Sequence, residues 1–205
     1  MNTFYQTNKA GSLSNCQCIK YHQKRDKIIQ TKDRHKKKFI ICVCKNCGLI
    51  RQQTMMTPQE TMIYYSSGEY RDDDGTNEMY NLHEFYKHQK KHAGQKIEFI
   101  NKHLKIDLEN EDLFIVDFGG GTGGVFDGVK NKHNVLIIDY DKNHLRYAEE
   151  QGFKTLYGGI DELNNLQQTP DLLFLSHVFE HFYDLNDAIK AFKNIMLNNT
   201  KLYIE

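Results

Sequence analysis

The chain has 205 residues, and its 27 basic and 27 acidic side chains give a formal net charge of zero. This length allows one medium domain, or a small module followed by a domain of ordinary size. The balanced charge argues against a protein that binds nucleic acid or membranes mainly by electrostatic attraction. No apolar run approaches the ~18–20 residues of a membrane span, and the start of the chain lacks the apolar stretch of a signal peptide. We therefore expect a cytoplasmic protein.

The balance conceals two segments of opposite charge. Residues 1–51 hold 12 basic and 2 acidic side chains, a net charge of +10, and residues 52–205 carry a net charge of −10. All five cysteines lie in the basic segment, and clustered cysteines in a cytosolic chain indicate metal binding before disulfides. The sequence therefore predicts a cysteine-rich module over residues 1–51, a connector with a lead helix over 52–109, and a main domain over 110–205.

The cysteine spacing predicts a tetrahedral zinc site. Cys44 and Cys47 are separated by two residues, and Gly48 after them permits the tight turn of a zinc knuckle. Cys16 and Cys18 have a single residue between them, where a knuckle has two to four, so this half of the site is less regular. The expected zinc ligands are Cys16, Cys18, Cys44 and Cys47.

The remaining cysteine and a nearby histidine leave alternatives open. His22 follows Cys18 after three intervening residues and is the reserve ligand. Cys42 is expected on the side of its strand opposite the ligand turn, or packed as a small apolar residue. The competing interpretation is a segment of reduced cysteines without a metal. We interpret residues 21–38 as a charged run and residues 39–44 as a strand.

The connector contains a helix start and a longer helical pattern. Thr57 is a candidate N-cap, with Pro58 in the first helical position and Glu60 placed to complete a capping box. Farther along the chain, apolar residues at helical spacing predict one long helix over residues 77–104, or two helices that break near Gly94.

From residue 110 onward, predicted strands and helices alternate. Strands separated by helices imply a parallel sheet with right-handed crossovers. The predicted fold class is therefore α/β, with a Rossmann-like parallel sheet that follows a small zinc-ribbon-like N-terminal module. Strands are expected over residues 113–118, 134–140, 154–157, 171–175 and 201–205, and helices over 125–132, 143–151, 160–166 and 185–197.

A glycine-rich loop follows the first of these strands. Asp117 precedes Gly119, Gly121 and Gly123, which alternate with other residues. Glycines let a backbone approach a ligand closely, and open α/β sheets bind nucleotides in the loop after the first strand. The loop lacks the Gly-Lys-Ser/Thr ending of a P-loop, so phosphoryl transfer is not expected. Asp139 ends the next strand, where a carboxylate can accept hydrogen bonds from both ribose hydroxyls.

Three motifs together resemble the class I S-adenosylmethionine-dependent methyltransferases. They are Val116–Gly123, the pair Ile138-Asp139, and Ser176–Phe182 after the fourth strand. The resemblance covers residues 110–205, and a NAD-binding domain with the same kind of loop is the competing interpretation. The cofactor-binding residues that the resemblance implies are Asp117, Gly119, Gly120, Gly121, Thr122, Gly123, Asp139, Tyr140, Gly159, Ile160, Asp161, Ser176 and His177.

The same resemblance implies a role for each part of this set. The glycines would pass beneath the methionine and ribose of S-adenosylmethionine, and Asp117 would orient the loop or reach the methionine amino group through water. Asp139 would hold the ribose hydroxyls. The adenine would lie among Tyr140, Gly159, Ile160 and Asp161, and the reaction face would be lined by Ser176 and His177.

Methyl transfer is an in-line displacement, to which the protein mainly contributes positioning. An oxygen acceptor also needs a general base with a pKa near neutrality. The candidate catalytic residues are His181 and His177, with Glu180 placed to orient a histidine. In the family this Glu-His pair often shapes the loop after the fourth strand, so a purely structural role is the alternative.

A cysteine module ahead of such a domain resembles bacterial enzymes that methylate sugars, nucleotide-linked sugars or polysaccharide precursors. Cys44–Leu49 and the aromatic segment Tyr64–Tyr70 carry this resemblance. It implies a small polar acceptor, such as an anionic sugar derivative. One alternative is an RNA methyltransferase that grips phosphates through the basic module, including Lys36–Lys38. The other is a non-catalytic cofactor-binding protein, because the predicted strands end at the fifth, where the family continues through two more.

Overall fold

The computed structural model describes residues 26–32, 36, 38–53, 56–67, 81–109, 112–182 and 184–205. The chain divides into two compact units, Met1–Thr61 and Met62–Glu205. Among the described residues, no helix is long and apolar enough to cross a membrane.

The first unit contains a small antiparallel sheet of three strands, in the order β1 (Asp26–Lys32), β2 (Lys38–Cys44) and β3 (Ile50–Gln52). The predicted strand over residues 39–44 is confirmed by β2. The charged run over residues 21–38 contains β1, a strand that the sequence did not predict. This strand lies at the edge of the sheet, and its exposed side chains are mostly polar or charged, so they lack the alternating pattern of a half-buried strand.

The two buried cysteines of β2 lie on one face of that strand, because side chains two residues apart point the same way. Cys42 and Cys44 are both almost fully buried. The Sγ of Cys42 lies 3.8 Å from a carboxylate oxygen of Asp26, which pairs with Arg51 at 2.5 Å. Burial raises the pKa of the Cys42 thiol. Of the two expected placements of Cys42, the opposite side of the strand is wrong, and packing as a small buried residue is confirmed.

The first helix, α1 (Pro58–Ser67), begins as the sequence predicts. The Thr57 hydroxyl accepts a hydrogen bond from the backbone N–H of Glu60 at 3.3 Å, and the backbone N–H of Thr57 donates to the Glu60 carboxylate at 2.7 Å. This reciprocal pair is a capping box, and it satisfies two N–H groups that the helix leaves unpaired.

The second unit is built on a five-stranded parallel sheet in the order β6-β5-β4-β7-β8. The chain first builds outward from β4 through β5 to β6, and then crosses to the other side for β7 and β8. The strand order reverses between β4 and β7, and ligands of open α/β sheets bind at such a point. The sheet confirms the predicted α/β, Rossmann-like fold. Its strands are β4 (Phe114–Phe118), β5 (Asn134–Asp139), β6 (Lys154–Tyr157), β7 (Leu172–Leu175) and β8 (Lys201–Ile204).

Helix α2 (Leu82–Phe99) precedes the sheet, is capped by the Asn81 side chain, and continues into a π-helical turn, Ile100–Leu104. It runs unbroken past Gly94, so the alternative of two helices is wrong. The remaining helices follow the predicted order and are α3 (Lys142–Glu150), α4 (Ile160–Asn164) and α5 (Leu185–Ile195).

The helix predicted over residues 125–132 is wrong. The chain forms a single 3-10 turn there, Gly124–Phe126, followed by further turns. Gly124 and Gly128 have low helix propensity. The segment is anchored by side chains, because Phe126 is fully buried and Asp127 accepts hydrogen bonds from Tyr86 and Lys130.

The core lies on both faces of the sheet, as a parallel sheet between helices requires. In β4, Ile115 packs into one hydrophobic cluster with Phe126 and Leu145, whereas the next residue, Val116, packs into the other with Phe192. All five residues of β4 are buried. This two-sided burial fixes the strand and directs its carboxyl end, with Asp117, toward the glycine loop.

Candidate functional site

The glycine loop leaves the carboxyl end of β4 in a conformation that requires glycine. Gly119, Gly121 and Gly123 have φ angles of 73°, 60° and 80°, in the left-handed region that side chains disfavour. A Cβ atom on Gly119 would overlap the side chain of Val178, and one on Gly123 would overlap that of Ile137. The loop therefore combines a glycine-only backbone with close packing, and its surface is made of backbone groups.

Helix α2 supplies contacts to this loop that the sequence does not predict. The Gln89 side chain donates a hydrogen bond to the carbonyl oxygen of Gly120 at 2.9 Å. Its oxygen accepts hydrogen bonds from the Thr122 hydroxyl at 2.7 Å and from the backbone N–H of Gly124 at 3.1 Å. Thr122 is fully buried, and its hydroxyl points toward α2.

Asp117 is a buried carboxyl group directly beneath the loop. Its side chain is 2% exposed, and a Cβ on Gly120 would overlap it. Within the described part of the chain, its Oδ2 has no hydrogen-bond partner. Burial, with repulsion from Asp139, raises the pKa of Asp117 to about 8, although Lys96 acts in the opposite direction. A buried carboxyl that lacks a donor is costly, and a cationic ligand group would relieve that cost.

Asp139 lies at the end of β5, beside the loop. One of its carboxylate oxygens accepts from the N–H of Gly121 at 2.9 Å, and the other from the N–H of Asp141 at 2.8 Å. Burial raises the pKa of Asp139 to about 6, while the backbone N–H groups of Asp141, Gly121 and Tyr140 favour the ionised form. A carboxylate has about four acceptor sites, so Asp139 can accept a further hydrogen bond.

The segment after β6 forms the outer wall of the same edge. The Tyr140 ring lies against Gly159, where a Cβ would overlap its hydroxyl. Burial raises the pKa of the Tyr140 hydroxyl, and the carboxylates of Glu162 and Asp161 add to the effect. Gly159 and Ile160 begin α4, where the Gly159 N–H donates to the Glu162 carboxylate at 2.6 Å.

A cluster of charged and polar groups lies where β7 and β8 end. Ser176 donates a hydrogen bond to the Glu205 carboxylate at 2.8 Å. Lys96 of α2 reaches the same pair, donating to the Ser176 hydroxyl at 3.0 Å and forming an ion pair with Glu205. Burial opposes ionisation of Glu205, but the hydrogen bonds from Lys96 and Ser176 outweigh it and hold the pKa of this carboxyl below its ordinary value.

The predicted catalytic residues lie together in the turn after β7. A Glu180 carboxylate oxygen is 4.0 Å from Nδ1 of His177 and 3.9 Å from Nε2 of His181, so it faces both rings at more than hydrogen-bond length. His177 has a φ of 56°, and its N–H donates to the backbone oxygen of Glu205. Partial burial lowers the pKa of His181, although Glu180 acts to raise it. The Tyr65 ring lies 5.9 Å from that of His181, edge to face.

The predicted zinc site falls partly outside the described residues. Cys16, Cys18 and the reserve ligand His22 belong to the part of the chain that the structure does not describe. Cys44 is buried, Cys47 is exposed, and the N–H of Gly48 donates to the carbonyl of Cys44 at 2.9 Å, which closes the turn. Among the described residues, no group of three or more His, Cys, Asp and Glu side chains is arranged to hold a metal ion.

The carboxyl edge of the sheet thus gathers the predicted cofactor residues from four strands and the loops that follow them. Three groups at this edge, Gln89, Lys96 and Glu205, were not predicted. Gln89 and Lys96 lie on a helix that precedes the sheet, where a polar residue looks like an ordinary surface position. Their spacing of seven residues places both on one face of that helix. This shared face is the sequence feature by which the two residues could have been found.

Residues 116–204 match the family model described as a methyltransferase domain. This segment is therefore similar to methyltransferase domains. The match runs from within β4 to the end of β8, and it includes the glycine loop, Asp139 and the turn with His177 and His181. It begins after α2, so Gln89 and Lys96 lie outside it.

Solved methyltransferase structures are similar to part of this chain. The plantazolicin methyltransferase BpumL, solved with a triazolic desmethylPZN analog and SAH, is 14% identical with a TM-score of 0.51, covering 71% of this chain and 58% of that chain. Coclaurine N-methyltransferase with N-methylheliamine and SAH is 14% identical with a TM-score of 0.47, covering 55% and 35%. A methyltransferase from Clostridium acetobutylicum is 20% identical with a TM-score of 0.43, covering 55% and 48%. This chain therefore spans about a third to three fifths of their lengths. No curated protein sequence matches it significantly.

Proposed function

We propose that the chain binds S-adenosylmethionine and transfers its methyl group to a small polar acceptor. The observation that carries this proposal is the pair of carboxyl groups at the glycine loop. Asp117 offers a buried oxygen without a donor in the described chain, and Asp139 offers a carboxylate with acceptor capacity at the end of the next strand. S-adenosylmethionine fits this pair, because it carries an ammonium group at one end and two ribose hydroxyls in its middle.

The remaining walls suit the rest of the cofactor. Gly119 to Gly123 present a backbone surface on which the methionine and ribose can lie without a Cβ in the way. Tyr140 would pack on the adenine, and Asp161 would accept from its exocyclic amine. Gly159 and Ile160 would flank the adenine edge. Ser176 and His177 would line the reaction face.

We assign the base to His181. When bound, S-adenosylmethionine supplies an electrophilic methyl group, so an acceptor hydroxyl must lose its proton as it attacks. The lowered pKa of His181 keeps its ring neutral near pH 7, and a neutral imidazole can take that proton. Glu180 would stabilise the imidazolium that forms, and His177 is the second candidate.

For the acceptor we propose a sugar, a nucleotide-sugar or a polysaccharide precursor. Tyr64 and Tyr65 contact each other with ring centroids 5.3 Å apart, and Tyr65 also contacts His181. Tyrosine rings beside a base suit the apolar face of a sugar ring. Tyr70 of the same motif lies outside the described residues. Binding of zinc by Cys16, Cys18, Cys44 and Cys47 remains a proposal, which zinc analysis of each Cys→Ser variant tests.

The decisive measurement is calorimetric titration of the chain with S-adenosylmethionine and, separately, with NAD. We expect saturable binding of the former only. Binding of NAD alone would replace the proposal with a NAD-binding domain.

The base assignment has its own experiment. His181→Ala should lower turnover about 10²–10⁴-fold with little change in cofactor affinity, and His177→Ala should lower it less. Equal turnover of His181→Ala and the wild type would contradict the assignment.

A further inference from the structure

Helix α2 packs directly against the glycine loop. A Cβ on Gly124 would come within 2.5 Å of the backbone oxygen of Tyr86 and 2.8 Å of the Cβ of Gln89. Real Cβ atoms are not found so close to backbone, so glycine at this position allows the helix to approach. The helix and the loop therefore share an interface at atomic contact, and Gln89 lies at its centre.

The Gln89 amide matches the loop in one orientation. Its oxygen accepts two hydrogen bonds, from the Thr122 hydroxyl and the Gly124 N–H, and its nitrogen donates to the Gly120 carbonyl. If the amide were rotated by 180°, its N–H groups would face the N–H of Gly124 and its oxygen would face the Gly120 carbonyl. Donors would then oppose donors, so the loop selects the observed orientation.

The loop needs such an external support. Glycine loses more conformational freedom on folding than any other residue, and five of the six residues from 119 to 124 are glycines. The start of the loop is held by the sheet, through Gly119 N–H to Ile138 and Gly121 N–H to Asp139. Gln89 holds Gly120, Thr122 and Gly124 from the other side.

Helix α2 is itself well anchored on both sides of Gln89. Phe85 stacks on His144 of α3 with centroids 5.1 Å apart and an angle of 11° between the rings. Tyr86 donates a hydrogen bond to Asp127, and Lys90 forms an ion pair with the same carboxylate at 2.6 Å. These contacts surround Gln89 within two turns, so its side chain extends from a rigid base.

We infer that Gln89 is a positioning residue of the cofactor site, which holds the glycine loop in its ligand-binding conformation before S-adenosylmethionine arrives. This inference rests on the proposed function. The Gln89 side chain bonds the face of the loop that packs on α2, leaving the other face to the ligand. Its contribution is pre-organisation, because a loop that is already ordered loses less entropy on binding. Loss of Gln89 should therefore weaken cofactor affinity and leave the rate at saturation unchanged.

The test compares Gln89→Ala with His88→Ala, a control on the neighbouring exposed residue of α2 that contacts His92. In the ligand-free protein, amide exchange at Gly124 should accelerate at least about fivefold in Gln89→Ala, as expected for the loss of one hydrogen bond of ~1 kcal/mol. Affinity for S-adenosylmethionine should fall about tenfold, with kcat retained at saturation. His88→Ala should match the wild type in each measurement.

Two further variants keep the inference testable if Gln89→Ala folds poorly. Thr122→Val removes one hydrogen bond and preserves shape, and Gln89→Glu keeps the acceptor oxygens but loses the donor to Gly120. Both should show part of the loss. Unchanged amide exchange in the folded variants would overturn the inference. If the wild type failed to bind S-adenosylmethionine, the proposed function would fall, while the exchange measurement would still decide whether Gln89 holds the loop.

Discussion

Replacement of Asp117 by Asn should stabilise the protein and at the same time weaken its binding of S-adenosylmethionine. The pKa of Asp117 is about 8 in the folded protein against an ordinary value of 3.8. At pH 7 the folded state must therefore hold a proton that the unfolded state has released. This costs 1.36 kcal/mol for each pH unit above the unfolded pKa, or about 4 kcal/mol at pH 7.

The sign of the pH dependence follows from the raised pKa. The unfolded state binds fewer protons than the folded state between about pH 4 and pH 8, so wild-type stability falls as the pH rises through this window. The cost rises from about 2 kcal/mol at pH 5 to about 4 kcal/mol at pH 7, an increase of about 2–3 kcal/mol. Asparagine does not titrate, so the stability of Asp117→Asn should lack this slope.

The net gain at pH 7 will be smaller than the full cost, because a buried amide without a partner itself costs ~1–3 kcal/mol. We expect Asp117→Asn to melt about 5 °C above the wild type at pH 7, from ~2–4 °C per kcal/mol in a chain of this size. Thermal unfolding at pH 5 and pH 7 measures the change. Asp187→Asn, on an exposed carboxylate of α5, is the matched control.

Calorimetric titration of the same variants tests whether Asp117 contributes to binding of S-adenosylmethionine. Asp117→Asn should bind S-adenosylmethionine at least about 30-fold more weakly, because it loses a charge-assisted bond worth ~2 kcal/mol or more. In the wild type at pH 7, binding should release up to about one proton as Asp117 ionises. Equal pH slopes of unfolding for the two proteins, or undiminished affinity in the variant, would refute the reasoning.

Further predictions concern the loop, the second carboxylate and the core. Gly119→Ala should lower the affinity for S-adenosylmethionine about tenfold or more, because a Cβ at φ 73° also overlaps Val178; Gly128→Ala, where a Cβ meets nothing within 4 Å, should leave it unchanged. Asp139→Asn should reduce, without abolishing, the rise in cofactor affinity that we expect from pH 5 to pH 7, because Asp139 no longer ionises around its pKa of about 6 while Asp117 still releases its proton on binding; a titration series across that range checks it. Phe126→Ala should lower the free energy of unfolding by about 3–5 kcal/mol in a denaturant titration, because the ring is fully buried; a loss below 1 kcal/mol would contradict the placement of the core.

The parallel sheet could be predicted from the sequence because its strands are buried on both faces. Short apolar runs such as Leu172–Leu175 are typical of strands inside a parallel sheet, and Asp117 and Asp139 mark where two of the strands end. The carboxyl ends of parallel strands meet at one edge of the sheet. The sequence alone could therefore predict that the expected cofactor-binding residues lie at one site.

Other parts could not be predicted, because their signals depend on tertiary contacts. Strand β1 is exposed and charged, so only its pairing with β2 defines it. The segment after the loop has apolar residues at helical spacing, yet burial of Phe126 and the hydrogen bonds of Asp127 hold it as turns. The role of Gln89 depends on a contact with residues more than thirty positions away, and a single polar residue on a helix carries no such information.

The complete burial of β4 also bears on how substitutions far from the ligand could act. Because side chains alternate between the two faces, a slip of β4 by one residue would exchange Ile115 and Val116 between two different hydrophobic clusters. Such a slip would also move the end of the strand by ~3.3 Å along its axis. Asp117 and the glycine loop would shift with it, away from Asp139 and Gln89. The hydrophobic packing at the centre of the sheet therefore fixes the position of the loop along the strand axis. A change of side-chain volume in that packing would first alter the geometry of the ligand-binding groups.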